Sequence, residues 1–337
     1  MKSHRFVIWS GIIGILLFIY ILLNIELAET LSLLRNASIW AVLLYLFVSL
    51  CIMLNHTLRW RLILLSQGVE KPFFTLMSFR IADYTISFLT PGPKVGGEFT
   101  RAALLSESGV KYSKALSSTF IDKSMELYGD AIFMVTGIFV ATAFIEIPLY
   151  WKILLYFFMI LFCSLCAFIY ISMRKELRLI PRFIEKLMTR VNWKVVDEKI
   201  KKFEDRVRDY YVNHKRHFFF TLFLSVFAWV FSLIEFRTLA YIIGYNVTWS
   251  QVLLMLIFFG IAIITPVPLA LGVAEASQAV VFTLMGLRAG AGVLMAFMTR
   301  LRDLIWSAFG LIFLAYYGMQ IKQTLHKAIK GEEHKQA

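Results

Sequence analysis

The sequence predicts an all-α polytopic membrane protein, with about six full transmembrane helices and two re-entrant helical hairpins arranged as an inverted repeat. Three observations carry that prediction. Of the 337 residues, 59% are hydrophobic and only 17% are charged, whereas a soluble domain has roughly 45–50% apolar residues. The apolar residues come in long runs, several of them near the roughly 20 residues that cross a bilayer as a helix. Two Pro- and Gly-containing interruptions share a motif and a spacing to later charges. A β-barrel would need short alternating segments instead.

Taken in order, the first apolar run is Phe6–Leu23, preceded by Lys2 and Arg5. It is too long for a signal-peptide core, and no small-residue cleavage site follows in "NIELAETL", so it reads as a retained helix. Ile39–Leu54 is the next span and opens a first repeat unit, 38–146. Arg59 and Trp60 near its end are expected at the cytoplasmic interface, a usual place for both residue types. The segment 73–105 reads as two short helical pieces hinged at Pro91–Gly97, followed by a long helix over roughly 114–145. Ile153–Met173 is a further span. The second unit, 218–322, has the same order: a span over 218–243, a broken segment over 251–285 and a helix over roughly 291–321. The whole chain, 1–337, reads as one integral membrane domain.

Between the two units, residues 174–217 hold fourteen Lys/Arg against seven Asp/Glu. Phe183, Leu187, Val191, Val195, Ile200, Phe203, Val207 and Tyr210 recur there at helical spacing. That pattern describes one or two amphipathic helices on the cytoplasmic surface, linking the halves. The loops near Glu146 and Tyr245–Ser250 have no Lys or Arg. Lys and Arg mark cytoplasmic loops, so both termini are expected in the cytoplasm of a multi-pass cell-membrane protein. The net charge of +13 is thereby assigned to orientation, and no nucleic-acid partner is expected. Cys51, Cys163 and Cys166 all lie in apolar runs and read as packing residues. The six histidines are scattered, so no metal centre or cofactor is expected. Neither a phosphate-binding loop, G-x-S-x-G nor H-E-x-x-H occurs, and the chain reads as a non-enzyme.

The interruptions repeat. "TPGPKVGGE" ends at Glu98 and "TPVPLALGVAE" ends at Glu275, 177 residues on. At the same offset Phe120 meets Phe297, Lys123 meets Arg300, Glu126 meets Asp303 and Leu127 meets Leu304. One residue of slippage pairs Arg59 with Arg237, and the Thr-Pro pairs stand 175 apart. The loop charges give the two units opposite orientations, the inverted plan of many transporters. Proline removes a backbone donor and glycine permits a tight bend. Irregular backbone at membrane depth is tolerated where it lines a cavity or is buried in protein. The hinge residues Pro91, Gly92, Pro93, Gly96 and Gly97, with Pro266, Pro268 and Gly272, therefore point to a cavity.

Charges at membrane depth face one another or a polar space. Glu98 and Arg101 stand three apart after the first hinge, with Lys94 inside it. Asp122, Glu126 and Asp130 form a stripe on the next helix, and Lys123 is spaced to meet Glu126 as Arg300 is to meet Asp303. The candidate substrate-binding set is Lys94, Glu98, Arg101, Asp122, Lys123, Glu126, Glu275, Arg300 and Asp303. A buried ion-pair network that only fixes helix packing is the competing reading of these residues.

"LRWRLILL" (Leu58–Leu65), the Pro-Gly…Gly-Glu-x-x-Arg pattern of Pro91–Arg101, and Pro-x-x-x-Gly-Val-x-Glu of Pro268–Glu275 resemble the flippase-like family, also called the lysylphosphatidylglycerol synthase transmembrane-region family. Asp122-Lys123-Ser124-Met125-Glu126 resembles that family's Glu-Arg-x-x-Asp helix motif, conservatively altered. Lys94 stands where the family usually has arginine. The resemblance implies a helical bundle with two re-entrant hairpins that translocates lipids between leaflets. The founding relatives carry a C-terminal aminoacyl-lipid synthase domain, which is not expected here. The expected partners are membrane lipids with anionic or zwitterionic headgroups, and a homo-oligomer is compatible with the sequence. A transporter of a small soluble ion or metabolite, and a non-transporting membrane scaffold, are the alternatives.

Overall fold

Apolar runs without strand-like alternation fold as helices in a membrane, because every backbone N–H and C=O must then be paired within its own segment. The computed structural model describes residues 19–20, 37–90, 96–174, 193–265 and 267–333, and among them all regular structure is helical. The expected first helix apart from residues 19–20, the hinge residues Pro91, Gly92, Pro93 and Pro266, Lys94, and the linker before Trp193 lie outside the described residues. In chain order the helices are α1 (Ile39–Ser66), α2 (Phe73–Leu89), α3 (Gly97–Glu107), α4 (Tyr112–Phe144), α5 (Leu149–Arg174), α6 (Trp193–Asn213), α7 (Lys215–Ile242), α8 (Trp249–Ile264), α9 (Val273–Leu284) and α10 (Ala289–Glu333). A 3-10 turn at Pro268–Ala270 lies between α8 and α9. By length and composition α1, α4, α5 and α7 can each cross a membrane. The protein is all-α and polytopic.

The chain folds back at both interruptions. α2 ends at Leu89 and α3 opens at Gly97. The Gly97 N–H donates to Ser87 Oγ at 3.2 Å, and a Cβ on Gly97 would run into Asp83 and Ser87 of α2. The start of α3 therefore lies directly on α2, and only glycine leaves room for that approach. Farther along, Ala102 and Leu105 of α3 share a buried core with Leu76 and Phe79 of α2. In the second interruption Gln278 Nε2 of α9 donates to the Met255 carbonyl of α8 at 3.0 Å, again across the fold-back.

The two fold-backs sit at different levels of the bundle. The core around α2 and α3 includes Trp60 and Leu64 of α1 and Ala115 of α4. The core around α8 and α9 includes Ala41 and Tyr45 of α1 and Ile138 and Ala141 of α4. At about 1.5 Å rise per residue these contacts lie roughly 20–30 Å apart along α1. α10 packs on α2 as well as on α9, and Gly310 admits Thr85 of α2 where a side chain would collide.

The described part of the linker packs on protein. Val207, Tyr210 and Tyr211 of α6 are buried with Ile121, Met125 and Tyr128 of α4 and Cys166 of α5. Tyr211 Oη and Ser124 Oγ share a hydrogen bond of 2.6 Å, as do Tyr210 Oη and Thr221 Oγ1 at 2.7 Å. Burial pushes both phenols above their ordinary range, so they stay neutral. Of the expected apolar stripe, the side chains of Phe203, Val207 and Tyr210 are described, and they face α4, α5 and α7. A membrane surface has no share in that contact.

Candidate functional site

Four helices converge on Asp122 of α4, which has no exposed surface. Its carboxylate takes Arg59 Nε at 2.7 Å from α1, Arg80 Nη1 at 2.7 Å from α2 and Arg101 Nη1 at 2.8 Å from α3. Each of these arginines has a second acid. Arg59 Nη2 reaches Glu126 at 3.1 Å, Arg80 Nη2 reaches Glu126 at 3.3 Å, and Arg101 Nε lies 3.1 Å from Asp83. Arg101 also lies over the Trp60 ring, 4.6 Å from its centroid. Buried charges persist in this way when paired and hydrogen-bonded. Arg59 and Trp60, expected at an aqueous interface, are both completely buried. Asp122 and Glu126, one helical turn apart, neutralise the arginine, and Ser118 Oγ accepts the Trp60 indole N–H at 3.1 Å.

The two repeated glutamates cap the helices that follow the breaks. Glu98 Oε2 accepts the Gly96 N–H at 3.0 Å, and Glu275 Oε2 accepts the Gly272 N–H at 2.8 Å. A carboxylate in a first helical turn satisfies a free N–H and meets the positive end of the helix dipole. Each glutamate also faces the cation that repeats after it. Lys123 Nζ lies 3.8 Å from Glu98 and 2.9 Å from Glu126. Arg300 Nη2 donates to Glu275 at 3.0 Å and to the Ala270 carbonyl at 3.0 Å, and its Nη1 donates to the Leu269 carbonyl at 2.7 Å. Leu269 and Ala270 both adopt positive φ, an unfavourable backbone for these residues that aims their carbonyls at the guanidinium.

A second ionic group lies across the bundle. Arg302 of α10 contacts Glu235 of α7 at 2.6 Å and Asp303 at 2.7 Å, and Tyr84 of α2 donates to Asp303 at 2.6 Å. Asp303, expected opposite Arg300, pairs instead with Arg302 and Tyr84, while Arg300 turns to Glu275. Residue spacing along one helix cannot foresee this choice, because Glu275 arrives from α9.

Between the two groups lies a cavity of about 250 Å³. Arg80, Lys123 and Arg302 supply cations to its wall, and Asp83, Glu98, Glu126 and Glu235 supply carboxylates. Much of the remaining lining is apolar, including Leu256, Phe259 and Ile263 of α8, Trp229 and Trp306. Of the residues expected to bind substrate, Glu98, Lys123 and Glu126 reach this wall. Arg101 and Asp122 lie behind it in the buried network, whereas Arg300 and Asp303 line a small neighbouring space of about 30 Å³ with Ser87 and Phe259. Glu275 is wholly buried against Arg300. Sequence reasoning passed over Arg80, Asp83 and Glu235, although charges within apolar helices are the signal that flags such positions.

Comparison with known proteins adds two findings. The family model described as "Lysylphosphatidylglycerol synthase TM region" matches residues 7–310. The UPF0104 membrane protein PH1989 of Pyrococcus horikoshii is 21% identical, over 89% of this chain and 92% of its own length.

Proposed function

The chain belongs to the lysylphosphatidylglycerol synthase transmembrane-region family, and on that premise we propose that it is a flippase-like transporter, carrying a phospholipid or lipid-linked headgroup between leaflets through the central cavity. Membership in a lipid-related membrane family makes membrane lipids its setting. The carrying observation is the mixed character of the cavity wall. Arg80, Lys123 and Arg302 face the space, each partly exposed at 12–28% of the side chain. Cationic donors of this kind suit phosphate, while Phe259, Ile263 and Leu256 offer an apolar flank to the rest of a lipid. A small soluble metabolite has no need of that flank.

In this reading Arg59, Arg101 and Arg300 frame the site, since their donors are committed to buried carboxylates and carbonyls. Glu98 and Glu275 hold the two fold-backs as paired re-entrant hairpins. The inverted repeat is supported by the matching glutamate caps, by the matching Lys123 and Arg300 contacts, and by the separation of the hairpins along α1. The test is lipid exchange in liposomes carrying fluorescent phospholipid. Lys123→Gln and Arg302→Gln proteins should exchange lipid far more slowly than the parent. Undiminished exchange in both would refute the assignment.

A further inference from the structure

At the far end of α7 from α6 there is a groove of about 480 Å³ between the start of α1, the end of α7 and the start of α8. Arg237 is the one charged residue among its described lining residues. Its guanidinium lies over the Trp249 ring at 4.2 Å from the centroid, and among the described residues it makes no ion pair or hydrogen bond. Trp249 is fixed there by a capping box at the start of α8. The Gln251 side chain accepts the Thr248 N–H at 2.8 Å, and Thr248 Oγ1 accepts the Gln251 N–H at 3.4 Å. Trp40 and Tyr241, both exposed, add two more rings, and Asn246 adds an exposed amide.

The 178-residue match of Arg59 with Arg237 accounts for the lack of a carboxylate partner for this guanidinium among the described residues. In the first half Arg59 is neutralised by Asp122. At the 177 offset Asp122 falls on Thr299, which is buried and donates to the Ala296 carbonyl. The acid matching Glu126 is Asp303, already engaged by Arg302 and Tyr84. Among the described residues, the second half thus has the arginine without a matching counter-charge.

A guanidinium over a tryptophan ring, with no ion pair among the described residues and with two further rings and an exposed amide beside it, matches a phosphate joined to a polyol or sugar. The guanidinium supplies forked donors to the phosphate, and the rings pack on the hydroxylated portion. Tryptophan and tyrosine gather at headgroup level where helices leave the bilayer. α1 and α7 are both long and apolar enough to cross a membrane, and α1 starts and α7 ends at this groove. We infer that the groove around Arg237 and Trp249 is a second binding site, for the phosphate-bearing, hydroxylated headgroup of a membrane lipid. It stands apart from the central cavity and does not depend on transport through it.

Native mass spectrometry of the full chain in detergent, titrated with phosphatidylglycerol, tests this directly. Arg237→Gln should weaken one lipid-binding event about tenfold or more, the worth of a charge-assisted hydrogen bond. Trp249→Leu should weaken the same event, and Arg237→Lys should restore part of it. Lys123→Gln in the central cavity should leave this event intact, which separates failure here from failure of the transport reading. A competition arm with glycerol 3-phosphate fixes the source of the phosphate. Poor competition supports a lipid, and competition as strong as that of short-chain phosphatidylglycerol would overturn the lipid assignment. Unchanged lipid binding in both Arg237→Gln and Trp249→Leu, with elution and melting like the parent, would overturn the site itself.

Discussion

Replacing Asp122 by asparagine removes one negative charge from beside three guanidinium groups and hardly alters volume. Arg59, Arg80 and Arg101 approach its two oxygens at 2.7–2.8 Å. Each unit-charge pair at about 4 Å is worth roughly 4 kcal/mol at an effective dielectric constant near 20. Against that stands a desolvation penalty of several kcal/mol for holding a carboxylate out of water. After the substitution Arg59 and Arg80 still have Glu126, and Arg101 still has Asp83. The loss should therefore fall near the lower end of the ~3–5 kcal/mol typical of breaking a buried pair. At about 2 °C per kcal/mol for a large chain, melting should drop by roughly 6 °C. Thermal unfolding in detergent, followed by intrinsic tryptophan fluorescence, reads this. Glu98→Gln is the control, because the side chain is partly exposed and the nearest cation among the described residues is 3.8 Å away; its cost should stay under about 1 kcal/mol. A melting shift below about 2 °C for Asp122→Asn, or one no larger than the Glu98→Gln shift, would refute the idea that Asp122 ties α1, α2 and α3 to α4.

Other substitutions probe the same architecture. Gly97→Ala places a Cβ on Asp83 and Ser87 and should cost at least about 1–3 kcal/mol through overpacking, seen as a lower melting temperature than for Gly318→Ala, where a helical Cβ meets nothing within 4 Å. Tyr211→Phe removes the hydroxyl shared with Ser124 and Tyr128 and should cost about 1–2 kcal/mol, with earlier proteolysis near α6 as a second readout. Glu275→Gln removes the counter-charge of the Arg300 guanidinium and leaves it neutral acceptors, the glutamine oxygen and the Leu269 and Ala270 carbonyls. It should destabilise the protein by about 1–3 kcal/mol and raise hydrogen exchange at the start of α9.

The breaks, the helices flanking them and the pairing of Lys123 with Glu126 were legible because each is local. Proline and glycine set the backbone within a few residues, and three-residue spacing puts charges on one helix face. The partnership of Glu98 with the Gly96 N–H is equally local. Contacts that cross between helices were not legible. Arg59 reads from sequence like an interfacial arginine, and only the arrival of Asp122, 63 residues later, makes it a core residue. Arg80 and Asp83 carry the same three-residue spacing as Lys123 and Glu126, and within an apolar run that spacing would have found them. Glu235 sits at the end of an apolar run, and the nearby Arg237, two residues on, points from another part of the helix surface; the partner of Glu235, Arg302, comes from α10.

The two fold-backs share a capping glutamate but differ in what lies behind it. With the 175 offset of the Thr-Pro pairs, Arg80 and Asp83 fall on Met255 and Phe258, both buried in an apolar core. With the 177 offset after it, Arg101 falls on Gln278, which only donates to the Met255 carbonyl. The first hairpin thus brings a ring of charge to the cavity, and the second brings Leu256, Phe259 and Ile263. A charge-bearing hairpin is costly to move through hydrocarbon, because its guanidinium and carboxylate groups must stay paired throughout. An apolar hairpin carries no such constraint. If the cavity opens by displacement of one hairpin, the second is the one free to move, and the Glu98, Lys123 and Glu126 contacts should persist in both states. Cross-linking cysteines placed at Phe79 and Ala102, which share the core between α2 and α3, should therefore leave lipid exchange intact, whereas a cross-link from Gln278 of α9 to a facing position on α10 should arrest it. Arrest by the first pair and tolerance of the second would reverse the assignment of the moving element.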